Sequence, residues 1–206
     1  RGQALIWFNV RHDGITLEAI GDVTLTASNP EIADSRAPSY PAVVNHVVYF
    51  GDGVSRKTVL RGFKITGAKN FTTGSGDKSP IESDDLRKTA FFYTDGGGIK
   101  IYARSYPTIE HVEVYENYAS PCGGGVSVEH LGQMQDSPLF RHCIFRGNGT
   151  QTTGAAMRSD FTRIDCGKFC AVLGPMARAF QSGLLNRMSC VASGSTPSDQ
   201  KACSSQ

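Results

Sequence analysis

Two glycine triplets, each followed by alternating aliphatic residues, constrain the fold more than any other feature of this sequence. The stretches "GGGIKIYARSYPTIEHVEVYEN" and "GGGVSVEHLGQMQDSPLFRHCIFRGN" begin at Gly96 and Gly123 and align residue by residue, down to a proline and a final asparagine. Their apolar residues recur two apart, which is the spacing of side chains on one face of a strand. Each unit therefore predicts three short strands.

Less regular copies of this unit precede the triplets. "VVYFGDGVSRKTVLRGFKITGAKN" ends at Asn70, and "GITLEAIGDVTLTAS" begins at Gly14. A repeat of roughly 25 to 30 residues without helical periodicity predicts a solenoid whose turns stack on one another. Helical repeats are disfavoured because glycine triplets destabilise a helix interior. No GK[ST] tail follows the glycines, which argues against a phosphate-binding loop.

The composition narrows the functional classes. The chain has 206 residues and a net charge of +2, which is too small to indicate a nucleic-acid partner. No apolar run approaches the ~20 residues of a membrane-spanning helix. Because it begins at Arg1, we expect the chain to be a piece of a longer protein.

Four of its six cysteines cluster near the C-terminal end of the sequence: Cys166, Cys170, Cys190 and Cys203. Without C-x-x-C spacing, they predict a disulfide-linked end in an oxidising compartment, with free thiols in a reducing cell as the alternative.

The triplet units resemble the repeats of right-handed parallel β-helix proteins of the pectate-lyase-like superfamily. The segments "FRGN" and "GAAM" are also similar to the GGA[ILV] and FxxN repeats of polymorphic outer-membrane autotransporters. The resemblance is clear from Val47 to Met157 and weaker from Ile15 onward. It implies an all-β fold, a solenoid of three-strand coils, placed extracellularly or at the cell surface.

The repeat pattern predicts a β-helix domain over residues 1–157 and an irregular tail or C-terminal cap over residues 158–206. Some apolar residues of the tail have helical spacing, which predicts a capping helix. These are Met176, Phe180, Leu184, Leu185 and Met188. The alternative is that the tail is not native repeat sequence, through truncation or a reading-frame error.

The resemblance implies that the triplet-led segments are first strands whose outward residues face polysaccharide. We accordingly predict a substrate-binding set of Tyr49, Lys100, Tyr102, Arg104, Glu129 and His130, beside outward Ser127 and the turn residues Asp52 and Arg56. Two long insertions, Ser28 to His46 and Lys69 to Asp95, are expected to flank this face. The resemblance also implies that His111 and His142 lie at the turn position where the family often has a stack of asparagine side chains. We expect the two histidines to form a stacked structural ladder there, with a metal site as the alternative.

These features predict a secreted or cell-surface scaffold that binds polysaccharide or acts as an adhesin, without a cofactor. The alternative is a lyase that acts on uronic-acid polymers by β-elimination, for which Lys100 or Arg104 would be the base or the neutralising cation. In that case Ca²⁺ would be held by Asp77, Glu82, Asp84 and Asp85. A glycoside hydrolase is disfavoured because Glu129 lacks a second carboxylate. Whether the chain is an enzyme stays open at this point, as does its oligomeric state.

Overall fold

Nearly all of the regular secondary structure in the described part of the chain is β-strand, and these strands pair in parallel. The computed structural model describes residues 2–51, 53–70, 95–120, 123–129, 136–150, 155, 157–160, 165–166, 171–173 and 180–182. Within these ranges the helical structure is a single 3-10 turn, Val10–His12. The strands of the first sheet are β1 (Gly2–Phe8), β3 (Val44–Phe50), β6 (Ile99–Tyr102), β10 (Val126–Glu129), β14 (Met157–Asp160) and β17 (Phe180–Ser182).

Two further sheets complete the described structure. The second contains β2 (Thr16–Thr26), β4 (Val59–Thr66), β7 (Thr108–Glu110), β8 (Glu113–Tyr115), β11 (Leu139–Arg141), β12 (Ile144–Arg146), β15 (Asp165–Cys166) and β16 (Ala171–Leu173). The third contains β5 (Lys69–Asn70), β9 (Tyr118–Ala119) and β13 (Gly149–Thr150).

Each repeat of the sequence contributes one layer to the sheets. The first sheet runs in the order β1, β3, β6, β10, β14 and β17, so strands of successive repeats are neighbours. In the second sheet, β4 is long enough to pair with β7 through its first half and with β8 through its second half. We call the strands that one repeat contributes a layer: β3 to β5 form the second layer, β6 to β9 the third, and β10 to β13 the fourth.

The strand register confirms the alignment of the repeats made from the sequence. Ile99 pairs with Val126, and Ile101 with Val128. Phe140 pairs with Ile109 in the second sheet. The less regular upstream units follow the same register, with Leu17 opposite Leu60 and Leu60 opposite Ile109. Residues that the repeat predicts to be equivalent are therefore stacked on each other.

The core consists of these stacked apolar columns. Ile99, Ile101, Val126 and Val128 have no exposed surface, and Leu60, Ile109 and Phe140 form a matching column in the second sheet. Each fully buried aliphatic or aromatic side chain of this kind contributes about 1.5–3 kcal/mol to folding. The columns are the main reason that short strands of three or four residues persist.

The glycine triplets are required by close contact between layers. A Cβ on Gly97 would lie 2.7 Å from the carbonyl oxygen of Gly124, and one on Gly124 would lie 2.0 Å from that of Gly149. Gly96 and Gly123 open their triplets with φ angles of 80° and 62°, which L side chains adopt at a cost. The triplets thus begin each layer and allow its backbone to approach the next.

A ladder of asparagines joins consecutive layers at a second turn. The Nδ2 group of Asn117 donates to the carbonyl oxygen of Ile65, at 3.0 Å, and to Oδ1 of Asn148, at 3.1 Å. Its Oδ1 accepts from the backbone N–H of Ala68 at 3.1 Å. Asn117 is 1% exposed, so these bonds satisfy backbone groups that water does not reach.

Three parts of the fold differ from the sequence-based picture or extend it. Strand β1 precedes the first unit that the pattern identifies, and the third sheet has no counterpart in the prediction. Beyond Met157 the parallel pairing continues through β14 to β17, and Phe180, predicted on a helix, lies in strand β17. The other residues of the predicted capping helix lie outside the described residues. In the described part of the chain, no helix has the length and apolar character to span a membrane.

We predict that Asn117→Ala lowers the free energy of unfolding by about 2–4 kcal/mol, because it leaves a buried carbonyl and a buried N–H without partners. Chemical denaturation of the full chain measures this loss. Asn45→Ala is the control: the Asn45 amide contacts only the Gln3 side chain, at 3.3 Å, and the change should stay within about 0.5 kcal/mol. Equal effects of the two substitutions would contradict the ladder's role.

Candidate functional site

The outward side of the first sheet carries one column of large and polar side chains. Trp7 pairs in register with Tyr49, Tyr49 with Lys100, and Lys100 with Ser127. We call these four residues the outer column. They stand on the side of the sheet opposite the apolar core because side chains alternate along a strand.

The aromatic end of the outer column is open to solvent. Trp7 is 52% exposed, whereas Tyr49 is 9% exposed. Their rings meet edge to face with centroids 5.3 Å apart, a favourable arrangement for two aromatic side chains. The site predicted from the sequence does not include Trp7. The signal that could identify it is the alternation along β1, in which Leu5 and Trp7 face outward and Ile6 and Phe8 face inward.

Lys100 of the outer column forms a buried ion pair with Glu129, which pairs in register with Tyr102 in the adjacent outward column. This burial corrects the prediction that Lys100 and Glu129 stand exposed. Nζ of Lys100 lies 2.5 Å from Oε2 of Glu129, and the side chains are 1% and 3% exposed. The ammonium also lies 5.9 Å from the centroid of the half-buried Tyr102 ring. Alternation gives the side of the sheet correctly, but it does not determine whether that side is covered.

Two buried oxygen atoms beside this ion pair lack hydrogen-bond donors. They are Oε1 of Glu129 and Oγ of Ser127, neither of which has a partner among the described residues. Buried polar atoms are nearly always satisfied, so we expect these two oxygens to accept hydrogen bonds from ordered water.

Of the predicted site residues that the structure describes, Arg104 is the one that is exposed. It follows β6 with a φ of 62°, directly after Ala103 at 48°. Phe50 and Ile101 pair with each other; Gly53 lies three residues after the first and Arg104 three residues after the second. The two residues therefore hold equivalent positions, and the φ of Gly53 is 88°. Of the other predicted residues, His130, Asp52, Asp77, Glu82, Asp84 and Asp85 lie outside the described residues.

The turn between the first and second sheets is organised around Asp13. Its carboxylate accepts hydrogen bonds from the backbone N–H of Ser55 at 2.7 Å, the Ser55 hydroxyl at 2.9 Å and the Thr58 hydroxyl at 3.0 Å. Burial raises the pKa of Asp13, but the hydrogen bonds from Ser55 and Thr58 outweigh it, and the pKa lies below its ordinary value.

We predict that Asp13→Asn destabilises the protein at pH 7 and that this difference narrows as the pH falls through the lowered pKa. A depressed folded-state pKa stabilises the fold above the unfolded-state pKa, and this contribution disappears once the carboxyl group is protonated in both states. Thermal unfolding at several pH values between about 3 and 7 measures the trend. A difference that is constant with pH would contradict the assignment.

The two turn histidines form a stack. The rings of His111 and His142 lie 4.7 Å apart and 11° from parallel, and both residues have positive φ. The expected ladder is therefore present. Within the described ranges, no three His, Cys, Asp or Glu side chains converge as a metal ion would require. The described Cys143 is a buried free thiol.

The first insertion lies at the third sheet. Ser28 forms an antiparallel bridge with Ala42, and both Ser28 and Pro41 line an open groove of about 390 Å³ with Lys69 and Tyr118. None of the predicted site residues lines this groove. The last three residues of the first insertion, Val44 to His46, are the start of β3 and pair with β1 in the first sheet. Most of the second insertion lies outside the described residues.

Comparisons with known proteins identify no relative. The chain matches no protein-family model, no curated protein and no solved structure. The geometry of the outer column and of the turns beside it is therefore the basis on which a function can be proposed.

We predict that Lys100→Met lowers the free energy of unfolding by about 3–5 kcal/mol, because it leaves the Glu129 carboxylate buried without its counter-ion. The double variant Lys100→Met with Glu129→Leu should recover much of this loss, since no unpaired charge remains. Urea denaturation of the two variants and the parent chain tests the pair. A double variant no more stable than the single one would contradict the prediction.

Proposed function

We propose that this chain is a secreted or cell-surface right-handed parallel β-helix scaffold that binds polysaccharide on the outer side of its first sheet. Parallel pairing between successive repeats supports the β-helix, because each layer returns to the same sheets in chain order. Right-handedness follows the strong preference of parallel crossover connections for that hand.

The observation that carries the binding proposal is the exposed Trp7 ring held by Tyr49 at the end of the outer column. An indole face packs against the C–H face of a pyranose ring, and the neighbouring polar residues match sugar hydroxyl groups. The strands that carry the column are about 4.8 Å apart, a spacing close to the length of one sugar unit. A glycan chain running across the strands would therefore meet one side chain per layer.

Binding is favoured over β-elimination by the state of Lys100. A lyase base must reach the substrate and exchange a proton with it. Lys100 is instead buried and bound to Glu129, which leaves it unsuited to that role. Of Lys100 and Arg104, the two cations considered for the lyase, Arg104 is the one exposed to solvent.

We predict that Trp7→Ala weakens glycan binding by about fivefold or more, because the stacking surface is lost. Ile20→Ala is the matched control: Ile20 is 94% exposed on strand β2 of the second sheet, and its removal should leave binding unchanged. A glycan array identifies a ligand, and isothermal titration measures the affinities.

An array without any binding by the full chain would overturn the proposal, as would equal loss in the two variants. Appearance of an unsaturated, ultraviolet-absorbing product from uronate polymers would instead identify the chain as a lyase.

A further inference from the structure

Strand β1 forms an open edge of the first sheet. Within the described residues it stands at the end of the strand order and pairs with β3 on one side. Phe8 directs its carbonyl group to that side, where the oxygen accepts from the N–H of Gly51 at 2.9 Å. Because successive peptide groups of a strand point to opposite edges, the N–H and C=O groups of Gln3, Leu5 and Trp7 point to the open edge.

The apolar core is incompletely covered at the same end. Ile6 of β1 and Leu17 of β2, the strands of the first layer, are half-buried, whereas their partners Val48 and Leu60 in the second layer have no exposed surface. On the outward side of β1, Leu5 is 49% exposed. An uncovered strand edge with apolar side chains on both faces is a surface to which another strand can add.

The two strands of the first layer are protected from such pairing to different degrees. β2 carries the exposed Glu18 and Asp22, and its register with β4 shifts between Glu18 and Val23. Charges and irregular register are two means by which proteins prevent edge-to-edge pairing. β1 has neither, because its sequence GQALIWF contains no charged residue and its register with β3 is constant. The edge of β1 is therefore suited to pairing, and that of β2 is not.

We propose that two copies of this chain pair through β1 in antiparallel orientation, with Leu5 of one copy opposite Leu5 of the other. Leu5 is the middle residue of Gly2–Phe8, so a two-fold axis at this position pairs the whole strand. This register also places Gln3 opposite Trp7, and all three residues have their backbone groups at the open edge. Hydrogen-bonded pairs of an antiparallel ladder consist of residues that face each other in this way.

The side chains of β1 are complementary to themselves in this register, which selects a second copy as the occupant. On the inward side the small Ala4 faces Ile6, and on the outward side the two Leu5 side chains face each other. No charged group of β1 becomes buried, since the strand has none. Each copy offers one such edge, so the two-fold arrangement closes as a dimer. The first sheet then continues from one copy into the other, with both outer columns on the same side.

The test exchanges charge at the residue that faces itself. Sedimentation velocity over a wide range of concentration is measured for the full chain, for Leu5→Lys, for Leu5→Glu and for an equimolar mixture of these two variants. Ile144→Lys is the matched control, because Ile144 is 39% exposed on strand β12, an inner strand of the second sheet. It adds the same charge at an outward apolar position away from β1.

We expect the parent chain to form a dimer whose fraction rises with concentration. Leu5→Lys and Leu5→Glu should each raise the dissociation constant about tenfold or more, because two like charges then face each other across the axis. The mixture should recover the dimer, since the introduced ammonium faces the introduced carboxylate. Recovery would also show that both variants are folded. Ile144→Lys should dimerise like the parent.

A parent chain that stays monomeric at every concentration would overturn the proposal, and so would open-ended assemblies. A dimer that resists Leu5→Lys, or that Ile144→Lys weakens equally, would place the interface elsewhere and reject β1. Loss of the dimer in both Leu5 variants without recovery in their mixture would reject the antiparallel register. The dimer does not depend on the proposed function, which the glycan array tests separately.

Discussion

In-register parallel pairing is the constraint on which the rest of this structure depends. In the described strands, paired residues lie beside their counterparts from the next repeat, so the kind of residue at one position recurs along the stack. Apolar positions become continuous core columns, as for Ile99 and Val126, and asparagine becomes a ladder through Asn117 and Asn148. A chain with strands this short is stable because the same contact is made again in each layer.

The same constraint would place like charges side by side at a charged position. On the second sheet, the charges in one column alternate in sign instead. Glu18, Arg61 and Glu110 occupy one outward column, and Arg61 contacts both carboxylates, at 3.4 and 2.5 Å. Arg141 continues the alternation one layer further. Like charges in such a column would repel across one strand spacing.

The parts of the fold that depend on local periodicity could be predicted from the sequence. The alignment of Ile99 with Val126 and of Ile109 with Phe140 follows from residue spacing alone, and the structure has the same register. The degree of exposure could not be predicted in this way: Lys100 faces outward as expected but is 1% exposed, and alternation along a strand does not determine whether an outward side chain is covered. Trp7 was missed because β1 lacks the glycine and asparagine markers of the later units. The third sheet was missed because two-residue strands such as Tyr118–Ala119 are too short to show a period.

The bonds of Asn117 have a consequence for how such a chain changes over evolutionary time. Its amide reaches back to Ile65 and forward to Asn148, so inserting or losing one residue in the short segment from β8 to Asn117 misaligns contacts on both sides. Duplicating or deleting a complete repeat leaves these contacts with equivalent neighbours. The chain is therefore expected to tolerate a gain or loss of whole repeats better than a single-residue insertion or deletion beside the asparagine ladder.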